Sequence, residues 1–436
     1  MSTEIAIIGA GFTGLAAARD LALGGCRVTV YEAERQVGGL AGAFTPSGGG
    51  DPLDRFYHHW FTSDLDIMTL IEELGLSDAV THEPSLTGVY FANRAYRLST
   101  PLDLLRFPAL PLIDRLRLGW MALRARRITD WRALEGLTAE EWLRDMAGDR
   151  VYDVIWAPLL RGKFGAHASD ISAVWIWNKL KLRGGSRSKD GAETLGYMRG
   201  SFARLAEAMA DDIRAHGGEI RLGAPVTSLT PSGQGWDLEG PWGAARADKV
   251  VATVAPPLLA RMVEGWARVG EIHKLDRISY LANLCLVLEL DRPLGETYWL
   301  NVNDPDFPFV GVIEHTNFQS SGQYGGRHIV YLSRYLAEDD PLYAMSDADV
   351  LEYALPHLGR MFPAFRPAWV QAHHVWRARW AQPVVERHYS RLIPRAEGPG
   401  YGLYLSSMAQ IYPEDRGTNY AVRAGRQIAS RLLSER

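Results

Sequence analysis

The alternation of apolar and polar positions is sharpest in the first forty residues. Glu4 to Ile8 reads as a short apolar strand, Leu15 to Leu23 has helical spacing, and Arg27 to Tyr31 reads as a second strand. Gly9, Gly11 and Gly14 stand between the first strand and the helix in GxGxxG spacing, with Phe12 and Thr13 inside it. The second strand ends on Glu32. Strand, glycine turn, helix, strand and acid together make a dinucleotide-binding unit. Gly9 permits the turn, Gly11 lets the backbone approach a diphosphate, and Gly14 lets helix and strand pack closely. Glu32 is placed to accept a hydrogen bond from a ribose hydroxyl.

The pattern predicts further elements downstream. Val89–Phe91 and Ala95–Leu98 read as a hairpin turning at Asn93–Arg94. Residues 102–127 read as a helical region in which Leu, Phe, Trp and Met mix with arginines. Two readings of it stand: a solvated helix face over a core, or a membrane-surface patch or mouth for an amphiphilic substrate. Ile220–Leu222, Pro225–Leu229, Tyr280–Leu290 and His328–Ser333 read as strands. Asp347–Phe362 reads as an amphipathic helix capped by Ser346 or Asp347.

After Glu32 the chain continues AERQVGGLAGAF, then a glycine-rich hairpin, FTPSGGGDPLDRFYHHWF. This ExxRxxGG extension resembles the flavin-dependent amine oxidase superfamily, which includes protoporphyrinogen oxidases, phytoene desaturases and UDP-galactopyranose mutases. GYMRGSFARL at 196–205, ADKVVATVAPP at 247–257 and the segment 404–433 resemble later motifs of that superfamily. The resemblance implies an FAD held noncovalently. Ala33, Arg35, Gly38, Gly39 and Leu40 would then lie along it. Val226 would meet the adenine through its backbone, and Met408, Thr418 and Asn419 would border the flavin. Asp54 and the pair His58–His59 would lie near its ring. The implied fold is α/β. A discontinuous Rossmann-like FAD-binding domain (1–79, 196–260 and 400–436) would carry an inserted α+β substrate domain (80–195 and 261–399).

Composition narrows the picture. The 436 residues suggest about two domains. An apolar fraction of 47% and a charged fraction of 22% are those of a globular protein. A net charge of −4 argues against a nucleic-acid partner. The two cysteines, Cys26 and Cys285, each fall in a predicted strand and read as buried reduced thiols. The first strand begins by residue 4, so no secretory leader is expected. A cytoplasmic location follows, with attachment to a membrane surface as the open alternative. Oligomeric state is not legible.

The candidate chemistry lies around the flavin. A helix beginning near Thr418–Asn419 would aim its N–H groups at the flavin pyrimidine, with either residue as N-cap. His58 and His59 are candidate hydrogen-bonding or basic groups, Arg416 a candidate substrate or ribityl contact, and Tyr412 a candidate to line the flavin face. Adjacent histidines point apart, so no metal site is expected. By the resemblance, the lysine that serves oxygen chemistry in amine oxidases would fall near Cys285, and this strand has none. Lys163, Arg161 and Arg183 are candidates to receive an anionic group. The function these features point to is hydride transfer from a small organic substrate, bound in a pocket over the flavin, to FAD, with an external electron acceptor. The alternative is a non-redox nucleotide-sugar mutase.

Overall fold

The computed structural model describes residues 3–185 and 193–435, and the side chain of Arg183 lies outside that description. A five-stranded parallel sheet has the order Glu219–Arg221, Arg27–Tyr31, Glu4–Ile8, Lys249–Ala252, Leu403–Leu405. Its strands are drawn from the beginning, middle and end of the chain. Ile5–Ile8 and Val250–Ala252 of the two central strands are apolar and buried, as a parallel sheet covered on both faces requires. The first helix, Phe12–Leu23, packs against the terminal helix, Thr418–Ser434. A Cβ at Gly425 would strike the Thr13 carbonyl and come within 2.8 Å of the Ala16 side chain, so only glycine allows that approach. Arg19, which is buried, binds Asp212 at 2.6 Å and Glu73 at 2.7 Å, and Arg426 joins Glu73 at 2.6 Å. These ion pairs tie the helices on one face of the sheet.

A second, seven-stranded sheet has the order Val370–Pro383, Tyr280–Leu290, His328–Leu336, Gly311–Glu314, Trp299–Val302, Thr87–Phe91, Arg94–Arg97. It is antiparallel except where Trp299–Val302 runs parallel to Thr87–Phe91. Beside it lies a helical cluster built from Leu112–Arg127, Ala139–Ala147, Ala157–Phe164 and Ala173–Gly185. A π-turn at Tyr152–Trp156 leads into the helix that carries Lys163.

Four sequence expectations are corrected. The hairpin turns at Ala92–Asn93, both at positive φ (52° and 56°), a geometry that matches the strand twist. The Asp304 carboxylate accepts both of their N–H groups, at 2.6 and 2.7 Å. The region 102–127 is two helices, Pro101–Leu105 and Leu112–Arg127, because Pro108 and Pro111 cannot continue a helical ladder. The strand expected at Pro225–Leu229 begins at Ser228. Pro225 has no N–H to give a ladder, and its carbonyl accepts from the Trp242 indole at 2.8 Å. Cys26 precedes its strand rather than lying inside it, although it is buried as expected. The cap of Asp347–Met361 is Ser346, whose hydroxyl accepts from the Asp349 amide.

Asp54 is fully buried and turned into the core. Its carboxylate accepts from the Phe202 amide at 3.1 Å, near the start of helix Ser201–Ala215, and from the Tyr197 hydroxyl at 2.5 Å. Burial pushes its pKa up to about 7. Its role is to satisfy a helix terminus that would otherwise be orphaned. Asp54→Ala leaves both donors without an acceptor in a dry site. The expected cost is about 2–4 kcal/mol, read as a lowered urea midpoint.

Candidate functional site

The strands Glu4–Ile8, Lys249–Ala252 and Leu403–Leu405 run in parallel, and their carboxyl ends deliver three loops to one edge. Ligands of open parallel sheets gather at such edges. The first loop is the glycine turn. Gly9 has φ +103° and donates its N–H to the Tyr31 carbonyl at 2.8 Å. Gly11 is the N-cap of the first helix, and Phe12 and Thr13, both buried, open it. A Cβ on Gly14 would collide with the Gly9 carbonyl, whereas a Cβ on Gly11 would meet nothing within 4 Å. The second loop brings Thr253, whose hydroxyl donates to the Ile8 carbonyl at 2.9 Å and braces the turn. Sequence reasoning missed that brace. The third loop brings Ser406, Ser407 and the half-buried Met408.

Glu32 is buried beside the turn. One carboxylate oxygen accepts from the Ala10 amide at 2.6 Å and the other from the Glu34 amide at 2.9 Å, leaving each oxygen a further lone pair. The extension folds back here: the Gly38 amide donates to the Ala10 carbonyl at 2.8 Å, and Gly39 lies against Gly11. Ala33, Arg35 and Gly39 are exposed and Leu40 half-buried along this rim. Val226 is buried in the cluster that includes Tyr31 and Ala252.

The loop before the terminal helix contributes to a polar wall. Arg416 immediately precedes Gly417, the N-cap of the terminal helix. Its guanidinium donates to Gln382 Oε1 at 2.8 Å and to the Tyr335 hydroxyl at 2.5 Å. Ser333, two residues from Tyr335 on the same face of its strand, receives Tyr57 at 3.1 Å and Asn283 at 3.0 Å. Lys163 lies over three rings, with its Nζ 4.7 Å from the centroid of Trp175, 5.1 Å from Tyr335 and 5.4 Å from Phe164. Burial, together with Lys179 and Arg416, lowers the Lys163 pKa well below that of an ordinary lysine, against the pull of Asp415. Asp415 is buried and pairs with Lys179, while its amide donates to Asn178 at 3.3 Å. Burial alone would raise its pKa. Lys179, Lys163 and Arg416 outweigh that and hold the carboxyl far below its usual range.

The sequence-predicted residues divide between these places. His58 belongs to the wall: it sits near Phe202 (5.3 Å between ring centroids) and within the field of Arg416. Burial, with Arg416 second, lowers its pKa to about 4, so the ring is neutral at physiological pH. His59 turns the other way, towards the Tyr298 hydroxyl at 3.2 Å, beside Phe61 and Trp299. Tyr412 packs against Trp131 and Tyr389 and donates to Glu135 at 3.2 Å, within the helical cluster. Thr418 and Asn419 do not cap their own helix. The Thr418 hydroxyl accepts from the Trp60 indole at 2.8 Å, and Asn419 Oδ1 accepts from the Ile67 amide at 3.0 Å, capping helix Leu65–Glu73 instead. Ser333, Tyr335 and Gln382 escaped sequence reasoning. The signal available was a serine and a tyrosine at i, i+2, on one face of a strand, around Arg334.

The family profile described as "Flavin containing amine oxidoreductase" matches residues 12–433. Among curated relatives, "Putative flavin-containing monoamine oxidase AofH" of Mycobacterium tuberculosis is 27% identical over 270 residues. That match takes in 58% of this chain and 57% of the relative, so the chain spans a little over half the length of that protein. "Probable zeta-carotene desaturase" of Synechococcus elongatus is 25% identical over 417 residues, with 83% of this chain and 84% of the relative covered. A crystal structure described as "Putative protoporphyrinogen oxidase" from Exiguobacterium sp. 255-15 superposes with a TM-score of 0.80 at 17% identity, over the whole of both chains. That likeness shows a shared fold.

The residues at the edge fit a flavin. Gly11 opens onto space that a Cβ would enter, and among the described residues the buried His58 Nδ1 and Ser407 Oγ have no hydrogen-bond partner. Gly11→Val is therefore expected to fold normally and lose flavin. Gly14→Val is expected to lower the thermal midpoint of the flavin-free protein as well. Absorbance near the flavin band and thermal melts, read together, separate the two. His58 generates a pH prediction. Its folded pKa of about 4 lies below its ordinary 6.5, so the stability tied to its neutral ring is complete above pH 6.5 and is lost as pH falls towards 4. Denaturation midpoints of His58→Gln should fall less steeply than those of the parent across that window.

Proposed function

The chain belongs to the flavin-containing amine oxidoreductase family, and from that premise we propose that it uses noncovalent FAD to oxidise a small organic substrate at a C–H bond. FAD, when bound, supplies the two-electron acceptor, and an external oxidant restores it. Gly9, Gly11, Phe12, Thr13 and Gly14 receive the diphosphate on backbone N–H groups at a helix N-terminus. Glu32 takes the ribose, Ala33, Arg35, Gly38, Gly39 and Leu40 form the rim, and Val226 meets the adenine. Residues 1–79, 196–260 and 400–436 make the cofactor domain, and 80–195 with 261–399 face the substrate.

One observation carries the reading: the charge of the wall. Lys163, Lys179 and Arg416 surround a single carboxylate, Asp415, next to the N-terminus of the terminal helix. A fixed positive potential of this kind favours negative charge arriving on the neighbouring ring system. Arg416 is held in one orientation by Gln382 and Tyr335, so it contributes without reorganising. Lys163, enclosed by aromatic rings and lowered in pKa by burial, is the wall's group for exchanging a proton at Nζ. Neutral His58 presents Nδ1 as a hydrogen-bonding atom.

The experiment is an anaerobic screen of purified protein for flavin bleaching across amines, tetrapyrrole precursors, polyenes and nucleotide sugars. The expected result is a yellow protein whose flavin is released intact by acid and bleaches with one substrate class. Turnover that requires dithionite and consumes no net electrons would instead identify a mutase. Lys163→Met is expected to slow bleaching about ten- to a hundredfold while retaining flavin.

A further inference from the structure

Fourteen large apolar side chains are exposed among the described residues, and seven of them fall between Leu102 and Leu123. The helix Leu112–Arg127 explains the concentration. Its inner face buries Asp114, Leu118, Met121 and Ala125 against the helical cluster. At about 3.6 residues per turn, Leu112, Ile113, Leu116, Trp120 and Leu123 project from the opposite side. Each of these five is between 51% and 60% exposed. The helix therefore has two apolar faces, and the outer one has no core to serve. Arg117 and Arg124 flank one edge of the outer stripe, and Arg115 and Arg126 flank the other.

The charges select the occupant. Residues 101–127 hold six arginines and two aspartates, in a chain of net charge −4. Asp103 is used in the capping box on Thr100, and Asp114 is buried and paired with Arg117 at 3.1 Å. The outward charge is thus positive. A second copy meeting this face across a two-fold axis would set arginine ridge against arginine ridge. Leucine and tryptophan between rows of arginine instead match the acyl boundary beneath a layer of phosphates.

We propose that the outer face of Leu112–Arg127 docks on an anionic lipid bilayer, lying in its interface. Among the described residues no helix is long and apolar enough to cross a membrane. The docking face also backs onto the polar wall. The Trp177 indole donates to the Ala125 carbonyl at 2.9 Å, and the helix bearing Trp177 carries Lys179, the partner of Asp415.

The test is co-sedimentation of the full chain with phosphatidylcholine vesicles, with and without about one-third phosphatidylglycerol. The parent should bind the anionic vesicles and be released by salt. The triple variant Leu116→Glu, Trp120→Glu, Leu123→Glu should bind roughly tenfold more weakly or worse, with an unchanged circular dichroism spectrum. Val269→Glu, at an exposed apolar position elsewhere (83% exposed), should bind as the parent does. Equal sedimentation of parent and triple variant, or no sedimentation of the parent with anionic vesicles, overturns the proposal. So does a concentration-dependent dimer, lost in the triple variant, that binds no vesicles.

Discussion

A carboxylate stripped of water must be neutralised, and the arrangement of this molecule around Asp415 follows from that requirement. Its partners come from separate parts of the chain: Lys163 from helix Ala157–Phe164, Lys179 from helix Ala173–Gly185, and Arg416 from its own loop. Docking the helical cluster onto the loop before the terminal helix is therefore an electrostatic event as well as an apolar one. Lys179 and Arg416 alone outnumber the one carboxylate, so the wall keeps a positive excess that Asp415 only partly cancels. The aromatic faces of Trp175 and Tyr335 each offer a negative π surface to the Lys163 Nζ when it carries its proton.

The loop from Ser406 to Gly417 is pinned at both ends. At one end the Ser406 amide donates to the Ala252 carbonyl, extending the parallel ladder. At the other, Thr418 and Asn419 are bound by Trp60 and by helix Leu65–Glu73, while Gly425 seats the terminal helix on the first. The last helix of the chain is thus fixed to its first turn. This is how residues some four hundred positions apart come to border one edge of the sheet. Rigidity of this kind suits a wall that must hold charge in place.

Helix Leu112–Arg127 shows why a pattern of apolar residues can mislead. Its two apolar faces cancel in any reading that looks for one stripe, and in sequence the segment is an unpatterned mixture of leucine and arginine. Only the fold separates them, by covering Leu118, Met121 and Ala125 and leaving Leu116, Trp120 and Leu123 outside. The inner face covers a core, as one of the readings drawn from sequence expects, and the exposed outer face is the one the membrane proposal addresses.

The glycine turn, its flanking strands and helix, and Glu32 were legible from sequence because their causes are local. Where a Cβ fits, and how far apart two strands and a helix must lie, is settled within thirty residues of chain. The two adjacent histidines were also foreseen to point apart, and they do. The capping expectation failed at Thr418 and Asn419 because propensity names a capable oxygen without saying which helix will use it. Asp54 drew attention as a cofactor neighbour, and only the fold shows that its carboxylate binds the Phe202 amide and the Tyr197 hydroxyl. Ser333, Tyr335, Gln382 and the neutralisation of Asp415 were decided by tertiary structure alone. Sterics act between neighbours in sequence, whereas charge compensation and burial act between neighbours in space, which only the folded chain defines.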